Sequence, residues 1–220
     1  PLPLHLADAV EDRQDALLNV WITAWDGHQL LNDPLHLFEA NIFDPYPHTL
    51  AYSEHLASTA LLAVPFQALS GEPVVAYNLS LLLSFPLAGL GMYLLLYRWT
   101  RHPGAAFVAG LAFAFAPYRL AAISHVQLLT VQWLPFSLLA LDQLLRPVLR
   151  AGGGRTSPAY RWLAGVPQFV LFATLQVLAS WYLAVFSLLV LGLYVLAWFL
   201  ASARRETAWR QTLARLALAG

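Results

Sequence analysis

Residues 162–201, WLAGVPQFVLFATLQVLASWYLAVFSLLVLGLYVLAWFLA, run for forty positions without a charged side chain. A membrane-crossing helix needs about 20 apolar residues, so this stretch is long enough for two crossings joined by a tight reversal. Ser180, Trp181 and Tyr182 interrupt the aliphatic pattern near its middle, and we place the reversal there. This stretch alone predicts an integral membrane protein.

The same pattern continues toward the N-terminus and defines the fold class. The chain is 59% hydrophobic, its mean hydropathy is +0.59, and only 11% of its residues are charged, against about 25% in soluble domains. We predict an all-α, polytopic membrane helix bundle of about six segments, at 51–70, 74–97, 104–122, 126–147, 162–180 and 182–202. The chain starts at Pro1 rather than at methionine and ends within a helical pattern, so we expect a fragment of a longer protein.

The charged residues divide the chain into two parts. Residues 1–72 hold ten carboxylates and one arginine, whereas residues 73–220 hold eleven arginines and two carboxylates. We therefore predict an acidic extracytoplasmic loop with a juxtamembrane helix over residues 1–50, followed by a transmembrane bundle over residues 51–220. Chemistry is expected where these two parts meet.

The positions of the arginines predict the orientation of the bundle. Positive residues favour the cytoplasmic side, and here they follow the second, fourth and sixth apolar segments, at 98–101, 146–161 and 204–215. The connections 118–127 and 180–182 then face outward. Strict alternation would place the acidic loop inside, so we expect the segment 51–70, which Pro65 interrupts, not to cross fully.

The acidic part contains one amphipathic helix and one irregular loop. Within residues 15–31 the apolar side chains have the spacing of one helix face, and they are Leu17, Leu18, Trp21, Ile22 and Trp25. The segment is too polar to span a bilayer, so we predict a short helix lying on the membrane surface, where tryptophan prefers to be. The turn Asn32–Pro34 ends it, and the two prolines of DPYP, at 44–47, favour an extended loop.

Composition excludes some chemistry. The chain has no cysteine, which rules out disulfides and thiolate metal sites, and no lysine, so each strong cation is an arginine suited to phosphate or carboxylate. The histidines and carboxylates of the acidic part suit a divalent metal ion, but no HExxH motif specifies one. Nucleic-acid binding is not predicted, because the arginines occupy membrane-flanking positions that topology already explains.

Four stretches together resemble the GT-C class of membrane glycosyltransferases. They are DALLNVWITAW (15–25), DPLHLFEANIFDPYPHTLAYSEH (33–55), AYNLSLLLSFPLAGLGMYLL (76–95) and FAFAPYRLAAISHVQLLTVQW (113–133). Protein O-mannosyltransferases and aminoarabinose transferases belong to this class, and the chain looks like its polytopic bacterial members labelled YfhO-like. The resemblance covers nearly the whole chain through loose motifs.

The resemblance implies transfer of a sugar from a polyprenyl-phosphate-linked donor to a glycan, lipid or protein acceptor at the outer face of the bacterial plasma membrane. An acidic residue in the first outer loop of the class activates the acceptor or helps to bind a divalent metal ion. By position, Asp15 matches that residue. As a general base it would take a proton from the acceptor hydroxyl. The alternative from the residues alone is a helix cap.

Two ionisable pairs are further candidates. Glu54 and His55 open the first apolar segment, where ionisable groups at membrane depth are costly, and we predict Glu54 as catalytic and His55 as substrate-binding. The alternative is that Glu54, at a helix start, only interacts favourably with the helix dipole. Arg119 and His125 lie in an outward-facing connection and could hold the donor phosphate. The alternative is an interfacial arginine with a solvated histidine.

Gln176 and Tyr182 complete the predicted substrate-binding residues, because the last reversal places them at the same outer level, with Trp181 between them in sequence. Their alternative is an aromatic belt at the membrane interface. Asp142 and Arg146 are expected to form an ordinary i,i+4 ion pair. Two other functions stay open: a transporter or flippase for lipid-linked glycans, and a non-catalytic scaffold in the envelope.

Overall fold

The computed structural model describes residues 5–7, 9–10, 14–145 and 158–217, and these residues form α-helices and short 3₁₀ turns without a strand. The predicted all-α class is therefore confirmed for this part of the chain. Residues 146–157, which include three of the predicted cytoplasmic arginines, lie outside the described residues. The helices are α1 Asp15–Asn32, α2 Ala57–Ser70, α3 Pro73–Thr100, α4 Pro103–Ala114, α5 Pro117–Ala121, α6 Val126–Leu129, α7 Trp133–Leu145, α8 Pro158–Val177 and α9 Trp181–Ala217.

Four helical stretches in the described residues are long and apolar enough to cross a membrane. They are Pro73–Thr100, Pro103–Ala121, Val126–Leu145 and Trp181–Arg204. The predicted segments at 51–70 and 162–180 correspond to shorter apolar helices over Ala57–Ser70 and Gly165–Val177. At 14 residues, α2 is shorter than the roughly 20 residues of a full crossing, as its central proline led us to expect.

Two of the four stretches are broken, where the sequence predicted continuous segments. Pro117 begins α5 and holds Ala116 in an extended conformation, which ends the preceding helix at Ala114. The other broken stretch is Val126–Leu145, in which the helix stops at Leu129 and resumes at Trp133. Buried carbonyl groups left free by such breaks need hydrogen-bond donors. Here the donors are two side chains that the sequence analysis had assigned to substrate.

The guanidinium of Arg119 supplies most of these donors. One terminal nitrogen donates to the carbonyl oxygen of Ala114 at 2.7 Å, and the other donates to that of Leu129 at 2.9 Å and to Ser84 Oγ at 3.1 Å. The amide of Gln176 donates to the carbonyl oxygen of Thr130 at 3.0 Å. A cation beside two helix C-termini also interacts favourably with their dipoles. Arg119 therefore holds the ends of α4 and α6 together.

The helix α1 has the predicted bounds but turns a different face inward. It packs against α2 and α3, and its buried residues include the polar side chains Asn19, Thr23, Asp26 and Gln29. The predicted membrane-facing stripe is split, since Ile22 is buried while Leu17 and Leu18 are exposed. The predicted apolar face is therefore not exposed as one continuous stripe, and contact of α1 with the lipid stays a prediction. The polar face can turn inward because Asn19 and Gln29 find partners there, Gln127 Oε1 at 2.9 Å and the carbonyl oxygen of His36 at 3.1 Å.

Asp142 lies at the opposite end of the bundle, where α3 and α7 end and α9 passes. Its carboxylate is fully buried and accepts hydrogen bonds from Arg98 Nε at 2.5 Å, Trp99 Nε1 at 3.1 Å and the Tyr194 hydroxyl at 2.5 Å. Arg146, the partner expected from i,i+4 spacing, lies outside the described residues. The carboxylate thus joins three helices that are distant in sequence.

A close backbone contact joins α3 to α4 at Gly89 and Gly110. A Cβ atom added to Gly110 would lie 2.8 Å from the carbonyl oxygen of Gly89, closer than packing allows. Gly110→Ala should therefore push these helices apart and lower the free energy of unfolding by about 1–3 kcal/mol. Denaturant titration in detergent measures this change. Gly192→Ala is the matched control, because nothing lies within 4 Å of its added Cβ. Equal effects of the two substitutions would contradict the close-packing explanation.

Candidate functional site

Asp15 and His125, two predicted site residues from distant parts of the chain, are in contact. Asp15 lies at the first position of α1, after Gln14, and its Oδ2 is 2.9 Å from Nε2 of His125. The Oγ of Ser124 lies 2.9 Å from the other ring nitrogen, Nδ1. Both imidazole nitrogens therefore have partners, which fixes the orientation of the ring. The side chains of Asp15 and His125 are 47% and 41% exposed, so a substrate hydroxyl can reach them from solvent.

A second polar contact reinforces this meeting point. One turn further along α1, Asn19 donates to Gln127 Oε1 at 2.9 Å, which fixes α1 to the start of α6. Asn19 and Ser124 were not among the predicted functional residues. The sequence did hold one signal for Asn19, its i,i+4 spacing from Asp15, which puts both side chains on one face of the helix. That spacing points to a site only when α6 is known to lie beside this face.

Arg119 has other partners than the expected phosphate. Its side chain is 1% exposed, its terminal nitrogens donate to protein oxygens, and Phe85 lies beneath the guanidinium at 4.3 Å from the ring centroid. The Nε atom has no hydrogen-bond partner among the described residues. As placed, Arg119 braces the connection that carries His125. Phosphate binding by Arg119 stays a prediction, and it requires the guanidinium to exchange one of these partners.

Glu54 and His55 form a second polar group, where α2 begins and α8 turns into α9. Glu54 Oε2 accepts a hydrogen bond from the backbone N–H of Trp181 at 3.2 Å. Burial raises the pKa of Glu54 above its usual value, and the hydrogen bond from Trp181 offsets part of this effect. His55 is 5% exposed and lies edge-on to Trp181 and Phe38. Burial lowers the pKa of His55, which favours the neutral imidazole.

The last two predicted substrate residues have contrasting environments. Gln176 is 1% exposed, and its amide nitrogen is engaged by the Thr130 carbonyl, whereas Tyr182 is 60% exposed. Backbone pairing of Ser58 N–H with the Leu178 carbonyl at 2.9 Å fixes the start of α2 to the same turn. Among the seven predicted residues, the contacts thus join Asp15 to His125 and place Glu54 and His55 against Trp181, where α9 begins. Arg119 and Gln176 instead donate to carbonyl oxygens at the helix breaks.

A cavity of about 650 Å³ lies between α1 and the loop 42–53. Its walls are mostly apolar and aromatic, and it is lined by Leu18, Trp21, Ile22, Ile42, Phe43, Asp44, Tyr46, Thr49, Leu50, Tyr52 and Ser53. None of the seven predicted site residues is among them. The tryptophans of α1 were predicted to lie at the membrane surface; both are partly buried here, and Trp21 lines the cavity. Trp25, stacked on Trp21, donates to the carbonyl oxygen of Leu37 at 2.9 Å.

No group of three or more metal-ligating side chains occurs among the residues that the structure describes. Asp15 and His125 are a carboxylate and an imidazole in contact, which are two of the ligand types that divalent cations use. A third protein ligand is not identified in the described residues. Dependence on a divalent metal ion therefore stays a prediction from the resemblance.

Comparison with known proteins gives no family assignment: no protein-family model, curated protein or solved structure matches the chain. The fold itself defines a helical protein whose described residues contain four potential membrane spans. At one end of these spans lies an accessible pair of a carboxylate and an imidazole.

Proposed function

We propose that the chain belongs to a GT-C-like membrane glycosyltransferase. It would move a sugar from a polyprenyl-phosphate-linked donor to an acceptor hydroxyl at the outer face of the bacterial plasma membrane. The observation that carries this proposal is the 2.9 Å contact between Asp15 and His125. Both residues had been selected independently from the sequence, and a membrane helix bundle holds them at one end, exposed to solvent.

In the proposed reaction, Asp15 is the general base. The acceptor oxygen attacks the anomeric carbon, the bond between that carbon and the carrier phosphate breaks, and the acceptor proton passes to the carboxylate. His125 orients Asp15 and, when protonated, supplies positive charge near the departing phosphate. Ser124 keeps the imidazole in place through its contact with Nδ1 at 2.9 Å. The polyprenyl chain of the donor would lie in the surrounding membrane, so that its sugar reaches Asp15 and His125 at the membrane surface.

The group around Glu54 has a supporting role in this proposal. A carboxyl group with a raised pKa holds its proton more readily than an ordinary one, so Glu54 is suited to donate a proton to a leaving phosphate oxygen. The exposed ring of Tyr182 would offer a face for stacking on the sugar, whereas His55 and Gln176 are buried and would have to become exposed to contact it. A divalent metal ion at Asp15 would help to neutralise the phosphate.

The test is a transfer assay with the full-length protein in proteoliposomes, using a panel of polyprenyl-phosphate-linked sugars. Asp15→Asn should lower the transfer rate by about 100-fold or more, because general-base catalysis typically contributes a factor of that size. Radiolabelled sugar in the acceptor fraction measures the rate. A His125→Gln variant should show a smaller loss, since it leaves the base in place.

The chain offers a matched control in a second carboxylate–imidazole pair. Asp33 and His36 are in contact at 2.8 Å near the other end of α1, and both are well exposed. Asp33→Asn removes the same chemistry elsewhere and should leave the rate unchanged. Normal transfer by the Asp15→Asn protein would end the assignment of Asp15. Movement of an intact lipid-linked glycan across the membrane, without transfer, would favour the transporter alternative.

A further inference from the structure

The cavity between α1 and the loop 42–53 has the composition of a site for organic cations. Four aromatic side chains line it, namely Trp21, Phe43, Tyr46 and Tyr52, together with the carboxylate residue Asp44. Aromatic faces attract ammonium groups through their quadrupole, and several rings around one space form the usual cage for quaternary ammonium ions. A carboxylate at the same cavity adds direct charge attraction. A cavity lined only by aliphatic side chains would offer a cation neither the aromatic attraction nor the charge attraction.

The surrounding part of the chain has the matching charge. Residues 14–72 contain seven acidic residues, of which Asp26 is buried and mainly uncharged at neutral pH, and no arginine or lysine. An anionic ligand would therefore meet repulsion at this cavity, whereas a cation would be attracted, most directly by Asp44.

The loop that forms one wall is held in a fixed and locally strained conformation. The carboxylate of Glu39 contacts His48 at two atoms. The backbone N–H of His48 donates to Glu39 Oε2 at 3.1 Å, and the ring Nδ1 of His48 lies 2.7 Å from Glu39 Oε1. Phe43 and His48 have φ angles of 60° and 55°, in the left-handed region that residues with a side chain rarely adopt. Strain of this kind clusters at ligand sites. The wall is thus shaped before any ligand arrives, while Phe43, Tyr46 and Tyr52 remain 73%, 72% and 85% exposed.

We propose that this cavity binds an organic ammonium ion that carries an apolar group. The ammonium group would lie among the aromatic rings beside Asp44, and the apolar group would contact Leu18 and Ile22 on α1. The proposal is independent of glycosyl transfer, since it assigns a ligand to residues that the proposed reaction does not use.

The test measures binding by isothermal titration calorimetry to the full-length protein in uncharged maltoside micelles, with empty micelles subtracted. Three probes share one tail: hexyltrimethylammonium, hexanol and hexanoate. The cation should bind at least about tenfold more tightly than hexanol, and hexanoate should bind most weakly. Equal affinities for the three probes would overturn the proposal, because they would indicate a purely apolar cavity.

Variants separate the charge from the rings. Asp44→Asn should weaken hexyltrimethylammonium binding about tenfold and leave hexanol unaffected. Tyr46→Leu keeps an apolar wall but removes a ring, and it should reduce the preference for the cation severalfold. Glu72→Gln removes one exposed carboxylate that does not line the cavity, and it should change neither affinity. An equal loss in Asp44→Asn and Glu72→Gln would show a general charge effect and would also overturn the proposal.

Discussion

Replacing Asp142 with asparagine is expected to destabilise the folded protein by about 3 kcal/mol. Removing one partner of a buried ion pair leaves the other charge uncompensated, and such losses usually reach about 3–5 kcal/mol. The lower end applies because the Arg98 side chain is 27% exposed and can turn partly toward solvent, whereas Asp142 is fully buried. Asparagine has the same shape but cannot balance the guanidinium charge. Denaturant titration in mixed micelles, followed by tryptophan fluorescence, measures the change in unfolding free energy.

A second substitution separates the charge effect from loss of packing. The double variant Asp142→Asn with Arg98→Gln removes both charges of this ion pair, so part of the lost stability should return. Glu72→Gln provides the control for a change in net charge, because Glu72 is exposed, and its effect should stay within about 0.5 kcal/mol. The explanation fails if Asp142→Asn costs no more than Glu72→Gln.

Asp142 also illustrates the limit of local sequence patterns. The i,i+4 rule pointed to Arg146, which lies outside the described residues, and gave no sign of Arg98, Trp99 and Tyr194, which bind the carboxylate from two other helices. Local spacing identifies neighbours on one helix, but a buried carboxylate in an apolar bundle takes whatever donors the packing brings to it. Those donors depend on helix order and rotation, which a hydropathy pattern does not contain.

The helices themselves were largely predictable, because membrane thickness sets their length and turn residues set their ends. The helix predicted over residues 15–31 is observed as Asp15–Asn32, and the reversal predicted at Ser180–Tyr182 separates α8 from α9. The breaks after Ala114 and Leu129 were not predicted. The apolar pattern continues through both breaks and so does not reveal them. The carbonyl groups that the breaks leave free accept hydrogen bonds from Arg119, the side chain that was predicted to bind phosphate.

The candidate site could be predicted residue by residue, but not as contacts. Asp15 and His125 were each selected as ionisable groups at an expected outer level, yet their 2.9 Å contact follows from how α1 packs on the bundle. The packing of α1 depends in turn on Asn19 reaching Gln127. The cavity was missed altogether, because the prolines of the loop 42–53 predict irregular backbone without indicating where it folds back.

The inward face of α1 carries one more unexpected group. Asp26 is fully buried, and neither of its carboxylate oxygens has a hydrogen-bond partner among the described residues. Burial raises its pKa from 3.8 to about 8, since ionisation there would leave a charge without water or a partner. The helix α2, which packs against α1, has no titratable side chain, and the first half of α3 contributes only Tyr77. At neutral pH Asp26 is therefore mainly a protonated, uncharged carboxyl group.

This raised pKa makes stability depend on pH with a definite sign. The folded protein holds the Asp26 proton up to about pH 8, whereas the unfolded chain releases it near pH 3.8, so unfolding becomes easier as pH rises between these values. Each pH unit in this interval costs about 1.4 kcal/mol. Between pH 5 and pH 8 the free energy of unfolding should fall by about 3–4 kcal/mol through Asp26 alone.

Asp26→Asn should remove this part of the pH dependence, because an amide does not ionise. Glu54 and His55 also have shifted pKa values, in opposite directions, but both residues are present in the two proteins and cancel in the comparison. The measurement is denaturant titration at pH 5 and pH 8 for the native protein and the variant. Glu72→Gln, which removes an exposed carboxylate, should keep the native pH dependence. If the native protein and Asp26→Asn lose the same stability over this interval, Asp26 does not carry a buried proton.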